Sequence, residues 1–337
     1  MDYNVFKEVV KESIKDYMPD KSAHYSVDIK PVQKVNGTLD GLYMQVGEPG
    51  KEGMAVAPVL YLQELYKNYQ STGDLKGTLE VAAMHLSDGL EYSQGFTGIA
   101  FSEPEAKLVL SLINTEQNRE LLQDVPNRPF QDLSIVCRYV TGMDRDRVSS
   151  VLVTGRIMEN MKLSREQLFQ MAEENTKKMM PPQVADMAVI LKRMFMEDGM
   201  PEKEADIMFG EMPARIPMYV VTNSCQINGA VSMVFEDILH GLAEETGTDL
   251  YILPSSVHEV IAVPADIGSP ETLAEMVEEV NLGQVPLNER LSNQVYYYEK
   301  EQRRLSMATD TPAKRLDGTA PEKSKNNEKS RDRQGTD

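Results

Sequence analysis

The chain has 337 residues, of which 41% are hydrophobic and 26% charged, and it contains no tryptophan. That composition is globular, predicts a core built mainly from aliphatic and methionine side chains, and excludes a chain too polar to fold. A formal charge of −18, from 53 acidic against 35 basic residues, repels nucleic-acid phosphates and anionic lipid and favours basic proteins or cations as partners.

Phe6, Val9, Val10, Ile14 and Tyr17 recur at helical spacing and Pro19 ends the run, which predicts an amphipathic opening helix. Alternation through His24–Val32 predicts a strand. Asn36-Gly37 ahead of Gly41–Val46 predicts a hairpin, because Asn-Gly accepts positive φ. A strand over Met54–Leu62 follows a glycine-rich loop, and a helix is expected from about Leu75 to Leu90. Next come a short strand, a helix opening near Ser102 and a turn over Asp124–Pro129. Strands follow over Phe130–Val140 and Val148–Ile157, with a turn at Gly142–Arg147 between them.

Ser164 as N-cap with Gln167 in the capping-box position opens a helix, and a second helix is expected from about Gln183 to Met196. Ile216–Asn223 reads as a strand, and Gly229–Gly247 as a helix closed by its last glycine. Strands in Asp249–Pro254 and Glu259–Asp266 flank the turn Ser255-Ser256-Val257-His258. Ser269 and Pro270 form a strong start for a helix over Ser269–Asn281, and a last strand lies near Tyr297.

The elements do not alternate strictly between strand and helix, so the predicted class is α+β, with mixed, partly antiparallel sheets and packed helices. A boundary near Gly142 divides an N-terminal α+β half (1–142) from a C-terminal α+β half (143–302). Residues 303–337 lose their apolar side chains and are expected to form a disordered polar tail. From Glu301 onward nine Lys/Arg face seven Asp/Glu, or +2, which leaves −20 for residues 1–300.

No run approaches the ~18 apolar residues of a membrane helix, and Lys7, Glu8, Lys11 and Glu12 interrupt the place where a signal peptide would carry its apolar core. A cytoplasmic protein is therefore expected. Its two cysteines, Cys137 and Cys225, fit that compartment, because a disulfide-stapled secreted domain carries more.

The stretch Leu253–Val260 is chemically the most suggestive. Ser255, Ser256, His258 and Glu259 place hydroxyl, imidazole and carboxylate within five residues. Catalytic triads converge from distant positions, however, and no G-x-S-x-G elbow surrounds either serine, so a polar hairpin turn is the simpler reading. His24, His85, His240 and His258 show no metal-ligand spacing, and neither H-E-x-x-H nor C-x-x-C occurs, so no metal is expected. Cys137 lies in an apolar strand as a small buried hydrophobe. Cys225 sits at a strand-to-helix junction, where a helix N-terminus would lower its thiol pKa, but no partner histidine is assignable. The same junction offers one loop glycine, Gly229, and lacks G-x-G-x-x-G and the Walker pattern, so no cofactor is expected. The 21 methionines concentrate between Met179 and Met218. Met180, Met187 and Met194 at helical spacing fit either core packing or an adaptable binding surface.

The segments "ELLQDVPNRPFQDLSIVCRYV", "PMYVVTN", "DLYILPSSVHEVIAVPAD" and "VNLGQVPLNERLSNQVYYYE" together resemble an uncharacterised bacterial family catalogued only as a domain of unknown function, number 5688. The resemblance covers most of residues 1–300. It implies a bacterial origin and carries no known activity, so it transfers no catalytic residue. The methionine-rich stretch Met194–Met212 and the long polar tail depart from the family pattern.

The acidic body, the methionine-rich region and the lack of a catalytic constellation lead to one expectation. The chain is expected to be a non-catalytic interaction or regulatory protein whose partner is a protein, not nucleic acid or membrane. That partner would contact its acidic face or the Met179–Met218 region. The rival reading is a small-molecule hydrolase with its site near the 255–259 turn, using Ser255, Ser256, His258, Glu259 or Cys225.

Overall fold

A computed structural model describes residues 1–20, 24–46, 58–94, 101–143, 148–209, 217–254, 256–310 and 316–318. The fold is α+β, and it forms two units that divide between Ser102 and Glu103. Gly142, where the sequence reading places its boundary, lies inside a long strand (Leu133–Met143) that pairs on both sides.

The first unit runs α1 (Tyr3–Tyr17), β1 (Tyr25–Lys34), β2 (Gly37–Val46), β3 (Val59–Tyr61), α2 (Leu62–Thr72) and α3 (Leu75–Gln94). Asp2 caps α1 by accepting from the Val5 amide at 3.0 Å. The three strands form an antiparallel sheet in sequence order. Its first turn is tight, because Lys34 pairs with Gly37 and Asn36 takes the left-handed conformation at φ 62°. Asparagine, rather than the glycine after it, therefore makes the turn. Phe6, Val10 and Ile14 of α1, Leu62 and Leu65 of α2, and Leu79, Ala82, Ala83 and Leu86 of α3 pack with Tyr25, Leu42 and Met44 of the sheet. The sequence reading missed α2, carrying the strand on to Leu62. In the fold Leu62 starts a helix whose Leu65, Tyr66 and Tyr69 return to the same core at helical spacing.

The second unit opens with α4 (Pro104–Lys107), β4 (Leu108–Asn114), β5 (Asn127–Phe130), β6 (Leu133–Met143), β7 (Val148–Leu152), α5 (Gly155–Asn160) and α6 (Arg165–Met179). The helix expected to open near Ser102 stops after α4, and the apolar run beyond it is a strand. All seven residues of β4 are buried, and a continuous apolar run covered on both faces has no helical stripe to betray it. β4 and β5 flank β6, and β7 pairs with the far end of β6. Helix α6 carries the expected capping box of Ser164 and Gln167. Its Thr176 hydroxyl accepts the Leu110 amide of β4 at 2.8 Å, satisfying a buried backbone donor.

The chain continues with β8 (Pro182–Asp186), α7 (Met187–Glu197), α8 (Glu202–Phe209), β9 (Tyr219–Asn223), α9 (Glu236–Thr246), β10 (Leu250–Leu253), β11 (Val260–Pro264), α10 (Pro270–Gln284), β12 (Tyr296–Glu299) and β13 (Arg304–Met307). The helix expected from Gln183 splits: its start is edge strand β8, and Asp186 then caps α7 through the Ala188 amide at 2.7 Å. The helix expected from Gly229 likewise begins as a 3-10 segment (Gly229–Val234) before α9, which Gly247 closes at φ 74°. A six-stranded antiparallel sheet has the order β13-β12-β10-β11-β9-β8. Strand β13 lies within the expected polar tail, pairing with β12 through Arg304 to Met307; residues 319–337 lie outside those described. Leu273 and Val277 of α10 pack on Leu253, Val263 and Val295. Among the described residues, no helix is long and apolar enough to cross a membrane.

Candidate functional site

The sequence-predicted residues fall at the end of β9 and in the turn between β10 and β11. Asn223, fully buried, closes its own loop: its side chain accepts the Cys225 amide at 3.0 Å and donates to the Ile227 carbonyl at 2.9 Å. Gln226 and Asn228 take left-handed backbone conformations, at φ 54° and 52°. These bends bring the Asn228 amide to His258 Nδ1, to which it donates at 3.3 Å. Beneath that contact the Thr222 hydroxyl donates to the His258 carbonyl at 2.8 Å, and the Ala230 amide to the Val257 carbonyl at 3.2 Å.

Gly229 sits where these segments cross. A Cβ there would collide with Thr222 Oγ1 and lie 2.5 Å from the His258 carbonyl oxygen and 2.7 Å from the Asn223 nitrogen. Only glycine allows the backbones this close.

On the turn, buried Ser256 accepts the His258 amide at 3.0 Å. His258 Nε2 lies 3.7 Å from the Glu289 carboxylate. Because Nδ1 accepts an amide hydrogen, the neutral ring carries its proton on Nε2, facing Glu289. Nδ1 is thus engaged while Nε2 stands beyond hydrogen-bond distance of the carboxylate, and among the described residues no hydroxyl or thiol hydrogen-bonds to the ring. Burial raises the Glu259 carboxyl above its ordinary range, against the pull of neighbouring His258 and of a hydrogen bond from Ser256. Ser255 lies outside the described residues.

Cys225 does not join this group. It is half-buried and packs with Val109, Val140 and Met180. The element after it is the six-residue 3-10 segment, and α9 begins only at Glu236 with acidic Glu236 and Asp237 in its first turn. A thiolate-stabilising helix N-terminus is therefore absent beside this thiol. Cys137 is fully buried in β6, and burial pushes its thiol up to about 12. Among the described residues no group of three or more His, Cys, Asp or Glu side chains converges as a metal site.

Two carboxylates overlooked in the sequence each receive two hydrogen bonds. Asp132, between β5 and β6, receives the Ser292 hydroxyl at 2.6 Å and the Tyr296 hydroxyl at 2.5 Å. Burial raises its pKa, and the two hydrogen bonds oppose the rise. Fully buried Tyr296 belongs to β12, so this contact ties the two sheets of the second unit together. Asp249, just ahead of β10, receives the Tyr297 hydroxyl at 2.5 Å and the Lys300 amide at 2.8 Å. These donors hold its carboxyl below the usual range, and the hydrogen bond to Asp249, with burial, pushes the Tyr297 phenol up to about 12. No local signal links residues 164 positions apart, as Asp132 and Tyr296 are.

What the fold and these sites define is an α+β chain whose polar clusters hold segments together: the Ser256 hydroxyl is tied to Glu259, and the hydroxyls of Ser292 and Tyr296 to Asp132. Residues 3–300 match the model of a family of unknown function (DUF5688), and the chain belongs to that family. No curated protein and no solved structure matches it significantly.

Proposed function

We propose that this is a non-catalytic, cytoplasmic interaction protein of bacterial origin, which holds a protein partner against the α7–α8 hairpin. The observation that carries the reading is α7 itself. Eight of its eleven residues are apolar (Met187, Ala188, Val189, Ile190, Leu191, Met194, Phe195 and Met196), yet Ala188 alone is buried. A helix that is apolar on most sides is ordinarily covered, and an exposed apolar patch on a folded chain marks an interaction site. The Asn228 amide that occupies His258 Nδ1 supports the same reading, because a general base needs a nitrogen free to take a proton.

The test is affinity capture of the tagged full-length chain from its host at low salt, beside the doubly substituted Met194→Asp/Ile207→Asp chain. One protein recovered near stoichiometry with the native chain and lost with the variant supports the proposal. A partner-free native preparation that hydrolyses a small-molecule ester or amide, and loses that activity in His258→Gln, overturns it.

A further inference from the structure

Resting on that interaction reading, we infer that the occupant of the α7–α8 surface is a basic amphipathic helix belonging to another protein. The two helices pack on each other, joined by a short turn in which Gly199 takes φ 98°. Fully buried Ala205 lets them approach, and Lys192 pairs with Asp206 across them at 2.5 Å. Outward, the pair presents Ile207 at 82% exposure, Val189 and Met194 at 54% each, and Met208 at 46%. Two adjacent helices with apolar side chains along them receive a third helix by its apolar stripe. The thioethers of Met194, Met196 and Met208 can reshape to fit that stripe.

Charge then selects the kind of helix. Lys192, Arg193 and Lys203 face Glu197, Asp198, Glu202, Glu204 and Asp206, so the hairpin carries 3 − 5 = −2, and the whole chain carries −18. A second copy would bring another −18 to the contact, and an anionic lipid surface would be repelled in the same way. A cationic helix gains from the field, and Glu197, Asp198, Glu202 and Glu204 of the same hairpin are the carboxylates its lysines or arginines would meet.

The experiment uses the full chain and two fluorescein-labelled peptides of twenty residues with leucines at helical i, i+3, i+4, i+7 spacing. One carries lysine at every other position, the other glutamate. Fluorescence anisotropy gives affinity, and methyl-labelled methionine NMR gives the place. The lysine peptide is expected to bind, to weaken as salt rises, and to shift the Met194, Met196 and Met208 methyl resonances. In Met194→Asp/Ile207→Asp the affinity should fall at least about tenfold, from the loss of two buried apolar side chains. That variant is more acidic, so attraction by charge alone would strengthen instead.

Equal binding of the glutamate peptide, undiminished binding to the variant, or shifts confined to other methionines would each overturn the inference. So would a concentration-dependent dimer in sedimentation that the variant abolishes, or flotation with anionic vesicles. If the peptides fail while host capture still recovers a hairpin-dependent protein, the helix inference falls and the interaction reading stands. If capture too is blind to the hairpin, both fall.

Discussion

Adding one methyl group at residue 229 tests whether the junction of β9 with the 256–259 turn is a packed structural joint. The Cβ of Gly229→Ala would clash with Thr222 Oγ1 and stand 2.5 Å from the His258 carbonyl oxygen and 2.7 Å from the Asn223 nitrogen. Thr222 can rotate only by giving up its 2.8 Å hydrogen bond to His258, and the other two atoms are backbone. Overpacking of this kind costs about 1–3 kcal/mol, and loss of the Thr222–His258 hydrogen bond adds about 0.5–1.5 kcal/mol. Together these give a destabilisation of about 1.5–4.5 kcal/mol.

Gly241→Ala is the internal control. It lies in the middle of α9 with nothing within 4 Å of its Cβ position, so alanine should stabilise by about 0.5–1 kcal/mol through helix propensity. Urea unfolding of the full chain, followed by circular dichroism, should move the midpoint down for the first variant and up for the second. A Gly229→Ala chain as stable as the native one would refute the close-approach argument.

Tyr296→Phe keeps the buried ring and removes the hydroxyl held by Asp132, so stability should fall by about 1.5–3 kcal/mol in the same assay. The two anchored carboxylates predict opposite pH slopes. Asp132 is raised above 3.8 when folded, so the folded chain holds that proton more tightly, and its contribution falls as pH rises from 3.8 through the folded value. Asp249 is lowered below 3.8, so its contribution is present above 3.8 and is lost as pH falls through the folded value. Urea midpoints measured from about pH 3 to 7 should therefore lose the first slope in Asp132→Asn and the second in Asp249→Asn; matching profiles in both variants would contradict the assignment. Ser164→Ala removes the capping-box acceptor of α6 and should cost about 1 kcal/mol, read from the same unfolding curves.

Features decided by neighbours in sequence were legible. The turn at Asn36, the Ser164–Gln167 box, the Ser269-Pro270 start of α10 and the Gly247 stop all appear where local chemistry puts them. The errors came where burial overrides periodicity: Leu108–Asn114 is covered on both faces, and α2 begins directly at the end of a strand. In the candidate site the grouping of Ser256, His258 and Glu259 was legible as proximity, but their roles were not. The partners that fix them, Asn228 and Glu289, come from other segments. The methionine-rich stretch was visible as composition; whether it packed inside or faced outward depended on what the rest of the sheet left room to cover.

The most direct test of the central claim is the exposure of the α7–α8 hairpin with and without its partner, read by hydrogen exchange on the protein purified alone and on the complex captured from the host. The account predicts slower exchange across Met187–Met208 in the complex, with the 256–259 turn unchanged. Protection that appears at the turn and leaves the hairpin as it was would contradict it.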